Sequence, residues 1–414
     1  MFSFSSTNWS FPAAGALSFF GGEAASSTLI TNHASGQKVV PSLYNSPGTV
    51  ALSQKLSILS HSRTRDAQHK GVGIPLANLL TLPTNGGPKF TATRSGTRIS
   101  HSGDVAKILL DVYKDHPTDV AAGGRVTVPT AVTVVDLHTP PAPQEHPRVT
   151  AGWFIFRLLP IAASVVGCVF CALSGDTWSA AMIAVGLLST GFASHALSAG
   201  DLTFTRPKSA PGVPPGDGYL ETDNEIVVLR GEEGAVAAVT RGELTLRFKS
   251  ESQLYWLTFS SNLLSAQAIA QLLFVPFGSS VGQLTFLATL GISWLYNLYV
   301  AAREKQAWHR TIIEDVLKKP TVKRYALGTR AATAVFVVAM LKPTNVEKQL
   351  LQFIPNETAV WSLWRRLVAQ ALETGKHDLF VPGEEWSMLS VDEQRLLETL
   401  LGDARTALDT SLRS

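Results

Sequence analysis

The chain of 414 residues is 45% hydrophobic and only 16% charged, against roughly 25% charged in ordinary soluble chains. That balance speaks against a set of ordinary soluble domains. A net charge of +3 excludes the strongly basic balance of a nucleic-acid binder, and two cysteines exclude a disulfide framework.

The chain begins MFSFSSTNWSFPAAGALSFFGG, which is aromatic and Ser-rich. It lacks the basic start and unbroken apolar core of a secretory signal. The first hundred residues are poor in acid and rich in Ser and Thr, as transit peptides are, yet the first arginine is Arg63. Residues 1–100 show no sustained periodicity and are expected to be largely disordered, with a few short ordered pieces. Residues 101–150 should hold a helix, strands and a linker. In SGDVAKILLDVYKDHP, Val105, Ile108, Leu109 and Val112 fall on one helical face, with Pro117 after the end. Arg125 to His138 is β-branched and alternating, broken at Pro129. TPPAPQEHP, Thr139 to Pro147, reads as an extended linker.

Four apolar segments reach the length of about 20 residues that a bilayer requires. They are 152–173, 177–197, 255–278 and 281–302, with Trp153, Trp178, Tyr255, Trp256, Tyr296 and Tyr299 near their ends as an aromatic belt would place them. SGDT joins the first two and SS the last two, so the four segments read as two membrane hairpins. Neither tip carries Lys or Arg. The outer flanks carry Arg148, Arg206, Lys208, Arg247, Lys249, Arg303, Lys305 and Arg310. The positive-inside rule then places the N-terminus, the middle loop and the C-terminus in the cytosol, in a membrane the sequence does not specify. On that topology Asn8-Trp9-Ser10 and Asn356-Glu357-Thr358 stay unglycosylated.

The first span carries small residues at Ala163, Gly167, Cys171 and Gly175. The second carries them at Gly186, Thr190, Ser194 and Ser198. Such stripes serve close packing within a hairpin or, in the sharper reading, association of two copies. Polar residues within the spans are functional candidates. They are Arg157, Asn262, Gln267, Gln271 and Asn297, with Gln283 and His195 beside them. Arg157 lies near the start of its span and can snorkel to the surface. Gln267 and Gln271 share a helix face. Hydrogen bonding between spans and the lining of a pathway are the two readings, and no acid lies at mid-depth to carry a proton or cation.

Between the hairpins, residues 202–250 are expected to form a small cytosolic α/β element. In EIVVLRGEEGAVAAVTRGELTLRF, Glu225–Arg230 and Glu243–Phe248 read as strands around a short helix, with a three-strand meander as the competitor. Two strands alone are marginal, and Val126–Leu137 is the natural partner. GEEG is no phosphate loop: no Lys-Ser/Thr follows it, and Glu232 and Glu233 occupy a helix start where they repel anions. Residues 303–405 should be a cytosolic helical region. The last span runs on to Pro320, and Ala332–Leu341 is a buried helix. The next helix is capped by Asn356 and closed at Gly375, with Trp361, Trp364, Val368 and Leu372 on one face. The last begins with a Ser390–Glu393 capping box. WSLWRRLV either faces a core or lies on a membrane surface.

No catalytic, cofactor-binding or metal-ligating constellation emerges. CVFC sits inside a span, where thiols stay protonated and pack. The ten histidines do not fall at metal-ligand spacing, and HExxH and GxSxG are absent.

GYLETDNEIVVLRGEEGAVAAVTRG, KRYALGTRAATAVFVV and NETAVWSLWRRLV resemble a group of uncharacterised multi-pass membrane proteins of basidiomycete fungi, over about 152–375. The resemblance implies location and architecture, and no site residue. The fold class expected is a mainly α membrane protein, with four transmembrane helices in two hairpins, the small α/β element and the C-terminal helical region. The function expected is that of a membrane-anchored structural or interaction protein. Its partners would be the lipid bilayer and a protein, or a second copy through the small-residue faces, with no nucleic acid. A small transporter or channel lined by the third and fourth spans is the alternative. A membrane-bound enzyme with a cytosolic module is a further one, though a non-enzyme is favoured.

Overall fold

The computed structural model describes residues 19–34, 42–61, 73–75, 87–121, 123–138, 154–205, 209–222, 225–248, 250–375 and 383–413, with 16 and 207 besides. Helices α1 (Gly22–Ala34) and α2 (Thr49–His61) come first, then strands β1 (Gly73–Pro75), β2 (Lys89–Ala92) and β3 (Arg98–Ile99). Helix α3 (Asp104–Tyr113), β4 (Val120–Ala121) and β5 (Thr130–Asp136) lead to α4 (Phe154–Leu173) and α5 (Thr177–Ser198). Next are β6 (Asp201–Thr205), β7 (Gly218–Glu221), β8 (Glu225–Arg230), α6 (Glu233–Thr240) and β9 (Glu243–Arg247). Helices α7 (Glu251–Phe274) and α8 (Ser280–Leu317) precede β10 (Thr321–Leu327), α9 (Arg330–Leu341), α10 (Val346–Phe353), α11 (Ala359–Thr374) and α12 (Val391–Leu412). The linker at 139–147, the first sequon, and Arg148, Arg206, Lys208 and Lys249 lie outside the described residues.

The chain divides into two compact units. The first is Met1–Thr84, Pro143–Thr205 and Glu243–Ile312; the second is Asn85–Ala142, Arg206–Gly242 and Ile313–Ser414. The structure is mostly helical. Among the described residues three helices are long and apolar enough to cross a membrane: Phe156–Leu173, Thr177–Ser198 and Ser280–Arg303, with mean hydropathies of 2.1, 1.5 and 1.4.

The first unit is a bundle of helices with a three-stranded sheet of order β1-β9-β6. Helix α7 forms where a span was expected and is 24 residues long, but it falls outside the set of three. Ser260, Ser261, Asn262, Ser265, Gln267 and Gln271 dilute its apolar content. A capping box of Ser250 and Gln253 starts it, and the 3-10 turn with Pro276 ends it. The turns of the α4–α5 and α7–α8 hairpins are tied to each other. The Asp176 carboxylate accepts hydrogen bonds from the backbone N–H and hydroxyl of Ser179, at 2.9 and 3.0 Å, and from those of Ser279, at 2.7 and 2.8 Å. At the other end of the hairpins, β6 follows α5 and pairs antiparallel with β9, which precedes α7.

Helices α1 and α2 are the ordered pieces of the Ser/Thr-rich start, and both pack into the first unit. Leu52, Leu56 and Leu59 of α2 are fully buried, as are Ala25, Leu29 and Ile30 of α1. Helix α2 packs along α7, and α1 along α2. The Ser and Thr content that read as solvated chain is itself buried: Ser26, Thr28, Thr31, Thr49 and Ser53 are inside the unit.

The second unit is built on a seven-stranded mixed sheet of order β3-β2-β7-β8-β5-β10-β4. Strand β5 pairs parallel with β8 and antiparallel with β10. Val132, Val134, Ile226, Val228, Tyr325 and Leu327 share one core with α9, which is apolar all round, and with α10, α11 and α12. Val135, Val227 and Leu229, on the alternate positions, are buried too.

Two element assignments change here. The residues from Glu225 to Phe248 form strand, helix and strand, but β8 and β9 belong to different sheets, so 202–250 is not one element. Strand β8 reads EIVVLR, a continuous apolar run suited to a central strand covered on both faces. Strand β9 alternates, with Leu244 and Leu246 buried. The region 303–405 is not purely helical either, because β10 is a seven-residue strand paired along its length with β5. Its Thr, Val and Tyr favour a pleated surface.

Candidate functional site

The polar residues of the bundle converge on residues 42–53. Asn45-Ser46-Pro47-Gly48 cannot continue a helix. Pro47 lacks an N–H, and Gly48 takes a φ of +73°. The chain ahead of α2, non-helical with bends at Tyr44 and Pro47, lies against α5, whose small residues leave room for it. A Cβ at Gly186 would sit 2.1 Å from Asn45 Oδ1, and one at Gly191 would sit 2.3 Å from Leu43 Cδ2. The Ser42 N–H donates to Ser194 Oγ at 3.2 Å. Part of this helix face is thus occupied by the chain's own residues 42–45. In α4, Gly167 faces Thr285 and Thr289 of α8, with Ile183 of α5 near it.

Asn45 joins three helices. Its backbone N–H donates to Ser164 Oγ of α4 at 3.0 Å, and its Nδ2 donates to Thr289 Oγ1 of α8 at 3.2 Å. Its Oδ1 accepts from Gln271 Nε2 of α7 at 3.1 Å. Asn297 holds the neighbouring residues. Its Oδ1 accepts from the Tyr44 hydroxyl at 2.8 Å, its Nδ2 donates to Ser46 Oγ at 3.3 Å, and its carbonyl accepts from Thr28 at 3.1 Å. Ser53 of α2 donates to the Ser261 carbonyl at 2.8 Å, and Ser261 returns the bond to the Ser53 carbonyl at 2.9 Å. Each of these bonds satisfies a polar group that the packed bundle removes from solvent.

The five candidates separate accordingly. Asn297 and Gln271 grip the 44–46 segment. Arg157 is buried and donates to Asn32 Oδ1 of α1 instead of snorkelling. Gln267 is buried beside them, and neither of its amide atoms finds a hydrogen-bond partner among the described residues; Gln271 Oε1 is in the same position. Asn262 is exposed on the outer face of α7, outside this network. Gln283 closes the α7–α8 turn by donating to the carbonyls of Pro276 and Gly278, and His195 is exposed. Tyr44, Asn45, Ser46 and Ser53 were missed. Their signal was Asn-Ser-Pro-Gly followed by Leu52, Leu56 and Leu59 at helical spacing.

Cys168 and Cys171 are free thiols packed with Ile183, Phe286 and Leu290. In the second unit, Gly231 carries the chain into α6 while its N–H donates to Asp217. A cleft of about 450 Å³ is lined by Lys89, Glu221, Glu225, Arg330 and Thr333. Its charges are of both signs, and Glu225 already pairs with Arg324 and Thr133. Among the described residues no three His, Cys, Asp or Glu side chains gather at metal-binding distance. Helix α11 turns its Trp/Arg face inward: Trp364 is fully buried, and Arg365 donates to the carbonyls of Ile354 and Asn356. Asn356 therefore serves by its carbonyl, and the cap position of α11 is Thr358. No family model, no curated protein and no solved structure matches this chain.

Proposed function

We propose that the chain is an integral membrane protein of structural or interaction type. It is anchored by four spans in two hairpins, with its termini and the middle loop in the cytosol. Helix α7 serves as the remaining span. Its 24 residues extend about 36 Å at 1.5 Å per residue, enough to cross the hydrocarbon core. Its outer positions include Tyr255, Trp256, Phe259, Ile269, Leu272 and Leu273, all exposed. The basic flanks and uncharged tips supply the orientation.

The observation that carries this reading is where the polar groups of the bundle spend their bonds. Gln271, Asn297, Thr289, Ser164 and Ser261 hold residues 44–53 of the same chain. They act as internal fasteners. The transporter reading draws support from one feature, the unpartnered amide of Gln267 in the same layer. The test is reconstitution of the full chain into liposomes, with ion and small-solute flux measured beside protease accessibility of both termini. Tight vesicles with both termini on one side support the anchor. Flux abolished by Gln267→Leu would transfer the assignment to a transporter.

A further inference from the structure

On the outside of α7, with Trp256 and Leu272 exposed beside them, six exposed residues follow one line: Tyr255, Phe259, Asn262, Ala266, Ile269 and Leu273. Their spacing is four, three, four, three, four, the repeat that keeps one seam of a helix facing a partner helix. Most of the seam is apolar. Its centre is not: Asn262 is the twelfth of the 24 residues of α7. One turn on, on the same face, Ala266 leaves only a methyl between the helix backbone and whatever lies against it. No residue from Ser252 to Phe274 is charged.

If α7 spans the bilayer, as the proposed function holds and on which this step rests, the Asn262 carboxamide projects into hydrocarbon at mid-depth. An unpaired polar group there is costly, and Asn associates helices by hydrogen bonding across them. We infer that the outer face of α7 is a dimer interface that docks the same face of a second copy of this chain, with the two Asn262 carboxamides bonded across a two-fold axis.

The chemistry selects a second copy. Two copies inserted with the same orientation are related by an axis along the membrane normal, so each residue of the seam meets its own equivalent. A carboxamide both donates and accepts, so it satisfies itself across such an axis. A single Asn in an otherwise apolar seam also fixes the register of the pair. Ala266 beside it lets the two backbones come close enough for the short Asn side chains to meet. The uncharged face calls for no oppositely charged partner. Of the small-residue stripes, that of α5 is met by residues 42–45 at Gly186 and Ser194, and that of α4 by Thr285 and Thr289 of α8 at Gly167.

The experiment is oxidative cross-linking of the full chain in proteoliposomes. Phe259→Cys, Ala266→Cys and Ile269→Cys flank Asn262 on the seam and leave it in place. They are compared with wild type and with Leu284→Cys, an exposed position on α8. Each is also challenged with a membrane-impermeant maleimide. The expected result is dimer formation at 259, 266 and 269, and none at 284 or in wild type. Asn262→Leu should weaken the dimer about tenfold as read by energy transfer between labelled copies, the order of one to two interhelical hydrogen bonds in lipid. Seam cysteines that neither cross-link nor react with the maleimide overturn the dimer while leaving α7 in the membrane. Seam cysteines that react freely overturn the span, and the dimer with it. A dimer of unchanged affinity in Asn262→Leu also overturns the assignment of the carboxamides.

Discussion

The carboxylate of Asp176 receives four donors from two serines on different hairpins. Burial pushes its pKa up, but the hydrogen bonds from Ser179 and Ser279 outweigh this and hold it below the usual carboxylate range. A depressed folded value means that the charged form stabilises the fold. That contribution is complete above the unfolded value of about 3.9 and is lost as pH falls through the folded one. Asp176→Asn should therefore melt below wild type by a constant margin from about pH 5 to 8, with the two converging below about pH 4. Thermal denaturation in detergent across that range checks it, and a margin that persists in acid refutes the charge-assisted link. Gln267 and Gln271 allow a contrast one helical turn apart. Gln271→Leu strips Asn45 Oδ1 of its donor and should cost about 1–3 kcal/mol, whereas Gln267→Leu removes an unpartnered amide and should be neutral or stabilising by about 1 kcal/mol. Chemical unfolding of the two variants side by side decides, and a large loss for Gln267→Leu would mean its amide has a bound partner. Both glutamines were legible from the sequence as polar residues on one face of a long, uncharged helix. Their fates were not, because the partner of one is Asn45, 226 residues away.

At the scale of elements, the periodic apolar helices were the most readable. Segments 152–173, 177–197 and 281–302 stand out because each is a long apolar run with almost no charge. Helix α7 forms where it was expected, but it is less apolar than those three, since its inward face is polar where α2 packs. That α1 and α2 could not be placed from the sequence has a physical cause. Their buried faces mix Leu and Ala with Ser and Thr whose hydroxyls bond inside the bundle, and such a face is indistinguishable from solvated chain until its partners are known. The α5 stripe was legible as a close-packing surface, though not what packs there. It yields a direct test. Gly186→Ala adds a methyl 2.1 Å from Asn45 Oδ1, in a place where the neighbour is held by three hydrogen bonds. The 42–48 segment should be displaced and helices α1 and α2 should become protease-sensitive. Gly291→Ala, with nothing within 4 Å of its Cβ, should keep wild-type resistance. Equal resistance of both variants would show that the segment does not depend on the groove.

At the scale of the whole molecule, strands from three stretches of sequence build the second unit. The partnership of β8 with residues 130–136 was foreseeable from composition, since both are β-branched runs in need of neighbours. The intervention of β10, nearly two hundred residues beyond β5, was hidden by a helical context on either side. Because the unit closes only when that last strand arrives, its cohesion rests on contacts distant in sequence. Trp364 is the largest fully buried side chain in it, and its indole donates to the Leu400 carbonyl at 3.1 Å, joining α11 to α12. Trp364→Ala should destabilise the second unit by about 3–5 kcal/mol, the range for truncating a large core aromatic. The first unit shares none of that core, which comprises residues between Val120 and Leu408 of the second unit alone. Hydrogen exchange should then show lost protection in β8, β10 and α9 of the variant, with α2 and the 264–271 portion of α7 protected as in wild type. A uniform loss across both sets would mean that the two units unfold as one cooperative body, and that the polar fastening of residues 42–53 depends on the sheet being folded.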